Sequence, residues 1–320
     1  MRRREFLAAM STALAASRDR AGTALGAVGP NIKWAVSIGL WNDQPPTPFT
    51  DMLDVLKDTG FDGFRMTGFP GFLEKHNLTE ASLEKELSKR GLRIATLSFG
   101  GPADDVTKQA EIDKAAHKAC RFLKQFGATE LVVFSPSRLP KNLVREHLRV
   151  ACEYYNHLGD LCAEYGIRAG LHNHSQGQLV ESQDEVELML KLTDPKRFHW
   201  APDTVHLYLG GSNIVELFEK YNDRLIFMDF IDGKYTFARE DVKLANGVVH
   251  KAGSEHATFL LSNYDLGEGE INFPALTFIL KRRQYKGWIC LDHHYARVSP
   301  RYNYGRCMEY IKKTLAPIYS

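Results

Sequence analysis

Cysteine is scarce in this chain, and the few thiols present are badly placed for chemistry. Cys120, Cys152, Cys162, Cys290 and Cys307 are the only five in 320 residues. No two stand at zinc-motif spacing, and five cannot all pair within one chain. Each reads as a small buried hydrophobe. Without thiolate ligands, copper(I) and iron–sulfur sites are excluded. Net charge is nearly absent as well, at a formal +2. Residues 1–20 hold five arginines against Glu5 and Asp19. That excess is larger than the whole chain's, so the remainder is slightly acidic and carries no electrostatic footprint for nucleic acid. Beyond the N-terminus no apolar run approaches the 18 residues of a membrane span. A glycine-rich phosphate loop after an early strand is also missing. What remains, 44% hydrophobic and 25% charged residues, suits a globular protein with a sizeable core.

The first 30 residues stand apart. Arg2, Arg3 and Arg4 precede Glu5, Phe6, Leu7 and the small-residue apolar run Ala8 to Ala16. A basic start, a short apolar middle and the small-x-small site Ala13-Leu14-Ala15 describe a secretory signal. Arg3-Arg4-Glu5-Phe6-Leu7 resembles a twin-arginine export signal. Residues 1–30 are therefore read as a signal segment and linker. A periplasmic or secreted location is expected, with a single folded domain over 31–320.

From Ile32 onward strand-like and helical stretches alternate. Strands are expected at Ile32–Leu40, Phe61–Met66, Leu92–Ser98, Leu131–Ser135, Ile167–Ser175, Phe198–Ala201, Leu225–Ile231 and Trp288–Asp292. Helices are expected at Pro48–Thr59, Glu80–Arg90, Ala103–Phe126, Leu143–Tyr165, Asp184–Leu192, Asn213–Tyr221, Phe273–Arg283 and Tyr304–Leu315. Gly60, Gly91, Gly127 and Gly166 stand where helices should stop. Strict alternation implies parallel strands with right-handed crossovers. Eight units predict a (β/α)₈ TIM barrel, α/β in class; a doubly wound open sheet is the runner-up. About forty residues separate the seventh strand from the next helix, and the stretch 233–270 reads as a lid or an insertion.

In a barrel, chemistry sits at the carboxyl ends of the strands. Four successive strands end in acid or histidine: Leu171-His172-Asn173-His174, Asp203-Thr204-Val205-His206, Asp229 to Asp232, and Asp292-His293-His294. Side chains two apart on a strand share a face, so His172 and His174 point the same way. His172, Asp203, Asp229 and Asp292 come from four neighbouring strands. One imidazole and three carboxylates form a hard nitrogen–oxygen set suited to Mn²⁺, Mg²⁺, Co²⁺ or Zn²⁺. A divalent metal there would polarise a C–H bond beside the oxygens of a polyol. His174, His206, His293 or a free oxygen of Asp292 would then move protons. Arg65, near the end of the second strand, would pair a substrate carboxylate or phosphate if it faces inward, or else a neighbouring acid. Trp41 would stack on a sugar face or pack in the core.

These residues carry a resemblance to the xylose-isomerase-like TIM-barrel superfamily of sugar phosphate isomerases and epimerases. The clearest motifs are Asp203-Thr204-Val205-His206, Gly267-Glu268-Gly269-Glu270-Ile271-Asn272-Phe273 and Tyr285-Lys286-Gly287-Trp288. The resemblance implies a metal held from strands five to eight, where the family usually places Glu, Asp, His and Glu. Here those positions read His172, Asp203, Asp229 and Asp292, so only the strand-six aspartate matches, although the donor types are kept. Asp292-His293 and the strand-five histidine are similar to mannonate dehydratases, without their strand-six cysteine. Epimerases of the family use two glutamates as acid and base; with both missing, proton transfer is expected to fall to His293 or His174.

The leading expectation is a metal-dependent isomerase or epimerase acting on a small-molecule carbohydrate. A sugar dehydratase or lyase is the alternative; a non-catalytic sugar-binding barrel and an endonuclease IV-like nuclease rank lower. No nucleic-acid partner and no membrane span are expected, and the sequence leaves the oligomeric state open.

Overall fold

A computed structural model of the chain describes residues 31–319. The proposed signal segment lies outside the described residues. Eight parallel strands carry the fold: β1 (Ile32–Ser37), β2 (Gly63–Met66), β3 (Arg93–Gly100), β4 (Glu130–Phe134), β5 (Arg168–His172), β6 (His199–Trp200), β7 (Phe227–Asp229) and β8 (Gly287–Leu291). Their order in the sheet is β6-β5-β4-β3-β2-β1-β8-β7. Between β7 and β6 the ladder thins to two isolated parallel bridges, Trp200 with Leu225 and Asp203 with Asp229. The backbone bonds Ile226 N–H to Trp200 O (3.1 Å) and Asp229 N–H to Pro202 O (2.8 Å) span that seam. The sheet therefore comes round on itself as a nearly closed barrel, and the open doubly wound sheet is set aside.

Eight main helices follow the strands: α1 (Phe49–Thr59), α2 (Glu80–Arg90), α3 (Gln109–Gln125), α4 (Lys141–Ala163), α5 (Gln183–Leu192), α6 (Ile214–Tyr221), α7 (Phe273–Arg282) and α8 (Pro300–Tyr310). Their buried faces follow helical spacing; α3 turns Ile112, Ala116, Ala119, Cys120 and Leu123 inward. The glycines expected to stop helices do so, with φ of 91° at Gly60, 68° at Gly91, 69° at Gly127 and 76° at Gly166. All five cysteines are buried and free.

Among the boundaries that differ from the sequence reading, three have a plain local reason. β1 stops at Ser37, because the Ser37 side chain accepts from Gly39 N–H and starts a 3-10 turn over Ile38–Asp43. α3 begins at Gln109, not Ala103, because Asp105 holds Thr107 N–H (3.0 Å) in a turn. Asp203 ends no strand; it caps a short helix, Thr204–Leu209, accepting from His206 N–H at 3.1 Å.

Period-two alternation sorts the strand residues. Val36, Phe64, Val133, Leu171, Met228 and Leu291 face the helices. Ala35, Ala95, Val132, Phe227 and Cys290 fill the barrel's interior. One step nearer the carboxyl ends, the same inward parity brings Ser37, Arg65, His172, Asp229 and Asp292, all buried. The interior thus changes from apolar to ionic over one residue pair per strand.

The 233–270 connection is a folded insertion. A two-residue strand at Asp232–Gly233 pairs with Asn263–Tyr264, a hairpin joins Val242–Lys243 to Val249–His250, and a helix covers Glu255–Leu261. Val242, Leu244, Ala257, Phe259 and Leu260 pack on Val205 and Ile231 beneath it. Asp232 ties both ends together: its carboxylate accepts from the N–H groups of Gly233 (2.9 Å), Gly267 (2.9 Å), Gly269 (2.9 Å) and Ile271 (3.0 Å). A β-carbon at Gly269 would lie 2.3 Å from Asp232 Oδ1, so only glycine lets the backbone approach. That explains the Gly267-to-Phe273 motif in structural terms.

Candidate metal centre and active site

The carboxyl end of the barrel gathers His172, Asp203, Asp229 and Asp292, with one ligand atom of each within 4.8 Å of all the others. His172 comes from the last position of β5, Asp229 from that of β7, and Asp292 follows β8 directly. Asp203 reaches the group through its bridge to Asp229. Asn173, a residue the sequence reading passed over, clamps Asp203 by its backbone: its Oδ1 accepts from Asp203 N–H (3.2 Å) and its Nδ2 donates to Asp203 O (3.3 Å).

Arg65 runs into this set from β2 and is 1% exposed. Its Nη1 donates to Asp229 Oδ2 at 2.7 Å, and its Nη2 pairs with Asp292 Oδ2. The guanidinium is thus bound to two aspartates of the cluster rather than free for a substrate anion. Burial would raise the Asp292 carboxyl, but Arg65, His294 and His172 outweigh it and hold Asp292 below the usual carboxylate range. Asp203 goes the other way: burial, then Asp229 and Asp292, push it well above that range.

A divalent cation fits this arrangement on two grounds. His172 Nε2, Asp203 Oδ2 and Asp229 Oδ1 are buried polar atoms without hydrogen-bond partners. His172 Nδ1 lies 3.1 Å from Asp229 Oδ2, yet without the alignment of a hydrogen bond. Buried polar atoms left open in this way are costly unless something occupies the space between them. The charges also close: once an ion replaces the proton that burial favours on Asp203, three carboxylates against one guanidinium leave −2, which a divalent ion cancels.

A second group, His174, His206 and His294, stands beside the first. The His174 and His206 rings lie 3.6 Å apart between centroids. Their neighbours fix opposite tautomers. Ser175 N–H donates to His206 Nδ1 at 3.1 Å, so the His206 proton sits on Nε2. His174 Nδ1 faces the carbonyl of Gln176 at 3.3 Å, which places its proton there and leaves a lone pair on Nε2. Burial keeps both rings neutral; His174 is pushed down to about 3, with His294 and His172 adding to the effect. His294, whose Nε2 is 3.8 Å from Asp292 Oδ2, completes the group.

His293 does not join them. Its Nε2 lies 2.9 Å from Asp265 Oδ1 and 3.5 Å from Cys307 Sγ, while Asn303 holds both oxygens of Asp265. The reason is parity: Asp292 and His294 share a face beyond β8, and the residue between them faces the other way. The same rule, carried two residues further along the sequence, would have found His294.

Above the cluster opens a cavity of about 510 Å³, walled by Asn42, Asp43, Thr67, Ser98, Phe99 and Phe134 and closed on one side by His256 and Leu260 of the insertion. Asp292, His293 and His294 line it too. Trp41 does not; it packs on Tyr304, ring centroids 5.7 Å apart, and walls two adjoining cavities.

A profile of the xylose isomerase-like TIM barrel matches residues 53–314. The chain belongs to that family. Within it, the chain is 30% identical over 277 residues to inosose dehydratase of Bacillus licheniformis, covering 82% of this chain and 88% of that protein. In fold it is similar to apo 3-keto-D-glucoside 4-epimerase from E. coli, with a TM-score of 0.66 and 17% identity over 88% of this chain and 99% of that one. It is also similar to the IolI protein solved with a zinc atom, with a TM-score of 0.67 and 14% identity over 90% and 98%. This chain is accordingly an enzyme of the xylose isomerase-like family, and no helix among the described residues is long and apolar enough to cross a membrane.

Proposed function

We propose that this chain is a metal-dependent isomerase or epimerase that removes a proton beside the carbonyl of a keto-sugar or related cyclic polyol. The observation that carries the reading is the opposed pair His174 and His206, one ring offering a lone pair and the other an N–H, beside four converging metal-type ligands. His172, Asp203, Asp229 and Asp292 would hold the ion. When bound, a divalent cation supplies Lewis acidity, drawing electrons from a substrate oxygen so that the neighbouring C–H becomes more acidic. Arg65 pairs with Asp229 and Asp292, holding both in place and helping to keep Asp292 ionised. His174 Nε2 takes the proton, His206 Nε2–H donates to the oxygen on which charge develops, and a proton then returns either to the neighbouring carbon from His174 (isomerisation) or to the same carbon from the opposite face (epimerisation). Phe99, Phe134 and Leu260 limit water around the reacting face. Among the cavity-lining residues the one arginine or lysine, Arg65, is already paired, which supports an uncharged substrate.

A second reading, dehydration of the same kind of ketone, is favoured by the 30% identity to an inosose dehydratase. It shares the first proton removal; His174 then passes that proton to the departing hydroxyl, which leaves as water while a C=C bond forms, with the His206 N–H bonded to the carbonyl oxygen.

The test is metal analysis of purified protein, followed by incubation with keto-sugars and inososes in deuterated water. Deuterium in recovered substrate or in its epimer supports the first reading. Loss of water from the product selects the second. Bound metal and ligand with no exchange would identify a sugar-binding barrel instead. We also propose that the chain works outside the cytoplasm. Precursor retained in the cytoplasm when Arg3 and Arg4 are both replaced by lysine would support that; unchanged export would refute it.

A further inference from the structure

Beyond the catalytic cavity the molecule holds more room than one sugar ring needs. The inner cavity, at about 510 Å³, already falls within the size range of a whole small-molecule site. Asn42 and Thr67 form its outer rim and also line a second cavity of about 250 Å³. That one shares Trp41, Met52, Lys75 and His76 with a third, of about 630 Å³, which adds Gln44, Thr47 and Asn246. All three adjoin at Asn42, which lines each of them.

The outer space is built, not incidental. The tip of the insertion's hairpin roofs the junction: Asn246 N–H donates to Asp43 O at 3.1 Å, and Asn246 Nδ2 donates to Asn42 O at 3.0 Å. Lys75 Nζ donates to Asn42 Oδ1 at 3.2 Å from the other side, so its charge is partly engaged. Neither outer cavity is lined by an acidic residue. Amides, two hydroxyls, an imidazole and an indole remain, the mixture of apolar wall and sparse hydrogen-bonding groups that receives an uncharged ligand.

We propose that this outer groove is a second subsite, which receives the aglycone or second ring of a glycoside while its oxidised ring occupies the catalytic cavity. The inference rests on the reading that the inner cavity holds a carbohydrate ring. It assigns Gln44, His76 and Asn246 to substrate specificity rather than to chemistry. A glycoside would gain contact area in the groove that a free monosaccharide cannot reach.

Calorimetric binding of phenyl β-D-glucopyranoside and of myo-inositol to the intact, metal-loaded chain tests this. The glucoside is expected to bind at least about tenfold more tightly. The Gln44→Ala/His76→Ala double variant should lose most of that advantage and bind myo-inositol as before. Should the double variant misfold, Gln44→Ala alone, at the groove's outer edge, is expected to show a smaller loss of the same kind. Equal affinities for the two probes, or variants that weaken both alike, would overturn the subsite and leave the inner-cavity reading intact. Binding of neither probe would overturn both.

Discussion

Arg65 Nη1 donates to Asp229 Oδ2 at 2.7 Å, and neither side chain exceeds 1% exposure. A guanidinium and a carboxylate have been carried from β2 and β7 across the barrel to the same sealed point. The pair lies inside the candidate metal centre, so the centre holds a permanent positive charge of the protein's own. This sets the ion the centre can take, because −2 remains to be balanced.

Removing that fixed charge should be costly. Arg65→Met leaves Asp229 and Asp292 buried without their partner, and breaking a buried pair from one side typically costs ~3–5 kcal/mol. Arg65→Lys keeps the charge but cannot reach two carboxylates with a planar fork, so an intermediate loss is expected. Urea denaturation of both variants, with and without added Mn²⁺ or Zn²⁺, measures it. An Arg65→Met protein as stable as wild type would contradict the ion-pair role.

The proton-transfer assignment separates two histidines that the sequence left level. His174→Gln should retain metal and lose deuterium exchange by about 10²–10⁴-fold, the usual contribution of a positioned base. His293→Gln should retain most exchange, since its Nε2 is engaged with Asp265. If the sensitivities came out reversed, His293, which already lines the cavity, would have to release Asp265 during turnover.

Asp232 should control the insertion. Asp232→Ala strips four backbone N–H groups of their acceptor, and each buried donor left unpaired costs about 1–3 kcal/mol. Cleavage by a protease within 233–270 should become much faster while the barrel stays intact. Asp232→Asn, which keeps one oxygen acceptor, should lie between the two.

Acid should weaken the ion-free protein. Burial pushes His174 down to about 3 and His199 down to about 4, from an ordinary 6.5. Both stay neutral in the folded chain while the unfolded chain takes up protons below about 6.5. The unfolded state then binds more protons, so stability is fully present above 6.5 and falls as pH drops toward 4. Asp203, Asp43, Asp62, Glu181 and Asp232, raised by burial, act in the opposite sense, against His174, His199 and the similarly depressed His76, His206, His256 and His294. Thermal midpoints measured without metal between pH 7.5 and 4.5 should therefore decline. His199→Gln should flatten the decline. A rising midpoint would mean that the carboxylates dominate.

The barrel was readable because its signals are local and repeated. Apolar runs of strand length alternate with helical stripes, and glycines stand where α1 and α2 end. The four-residue cluster was readable for a related reason: strand ends in a parallel barrel meet at one place, so residues at His172, Asp203, Asp229 and Asp292 must approach one another. What failed to show was direction. Whether Arg65 would meet an acid or a substrate depends on side chains 164 and 227 positions away. His293 and His294 both line the cavity, but alternation past Leu291 sends His294 to His174 and His206 and His293 to Asp265. The tautomers of His174 and His206 depend on backbone groups of Gln176 and Ser175, which side-chain identity does not reveal. Trp41 lies in a 3-10 turn rather than at a strand's end, so it faces the neighbouring cavities.

The seam between β6 and β7 has a mechanical meaning. Everywhere else around the barrel adjacent strands are stitched by ladders of amide bonds, but here the circle is held by two isolated bridges. Asp203 stands on one lip of that gap and Asp229 on the other, each with an oxygen unclaimed by the protein. A cation gripped by both would be a rivet as well as a reagent, fastening the ring where its weave is thinnest. Such an enzyme would close its own scaffold by acquiring the ion it works with, and starving it of metal would slacken the architecture along with the catalysis.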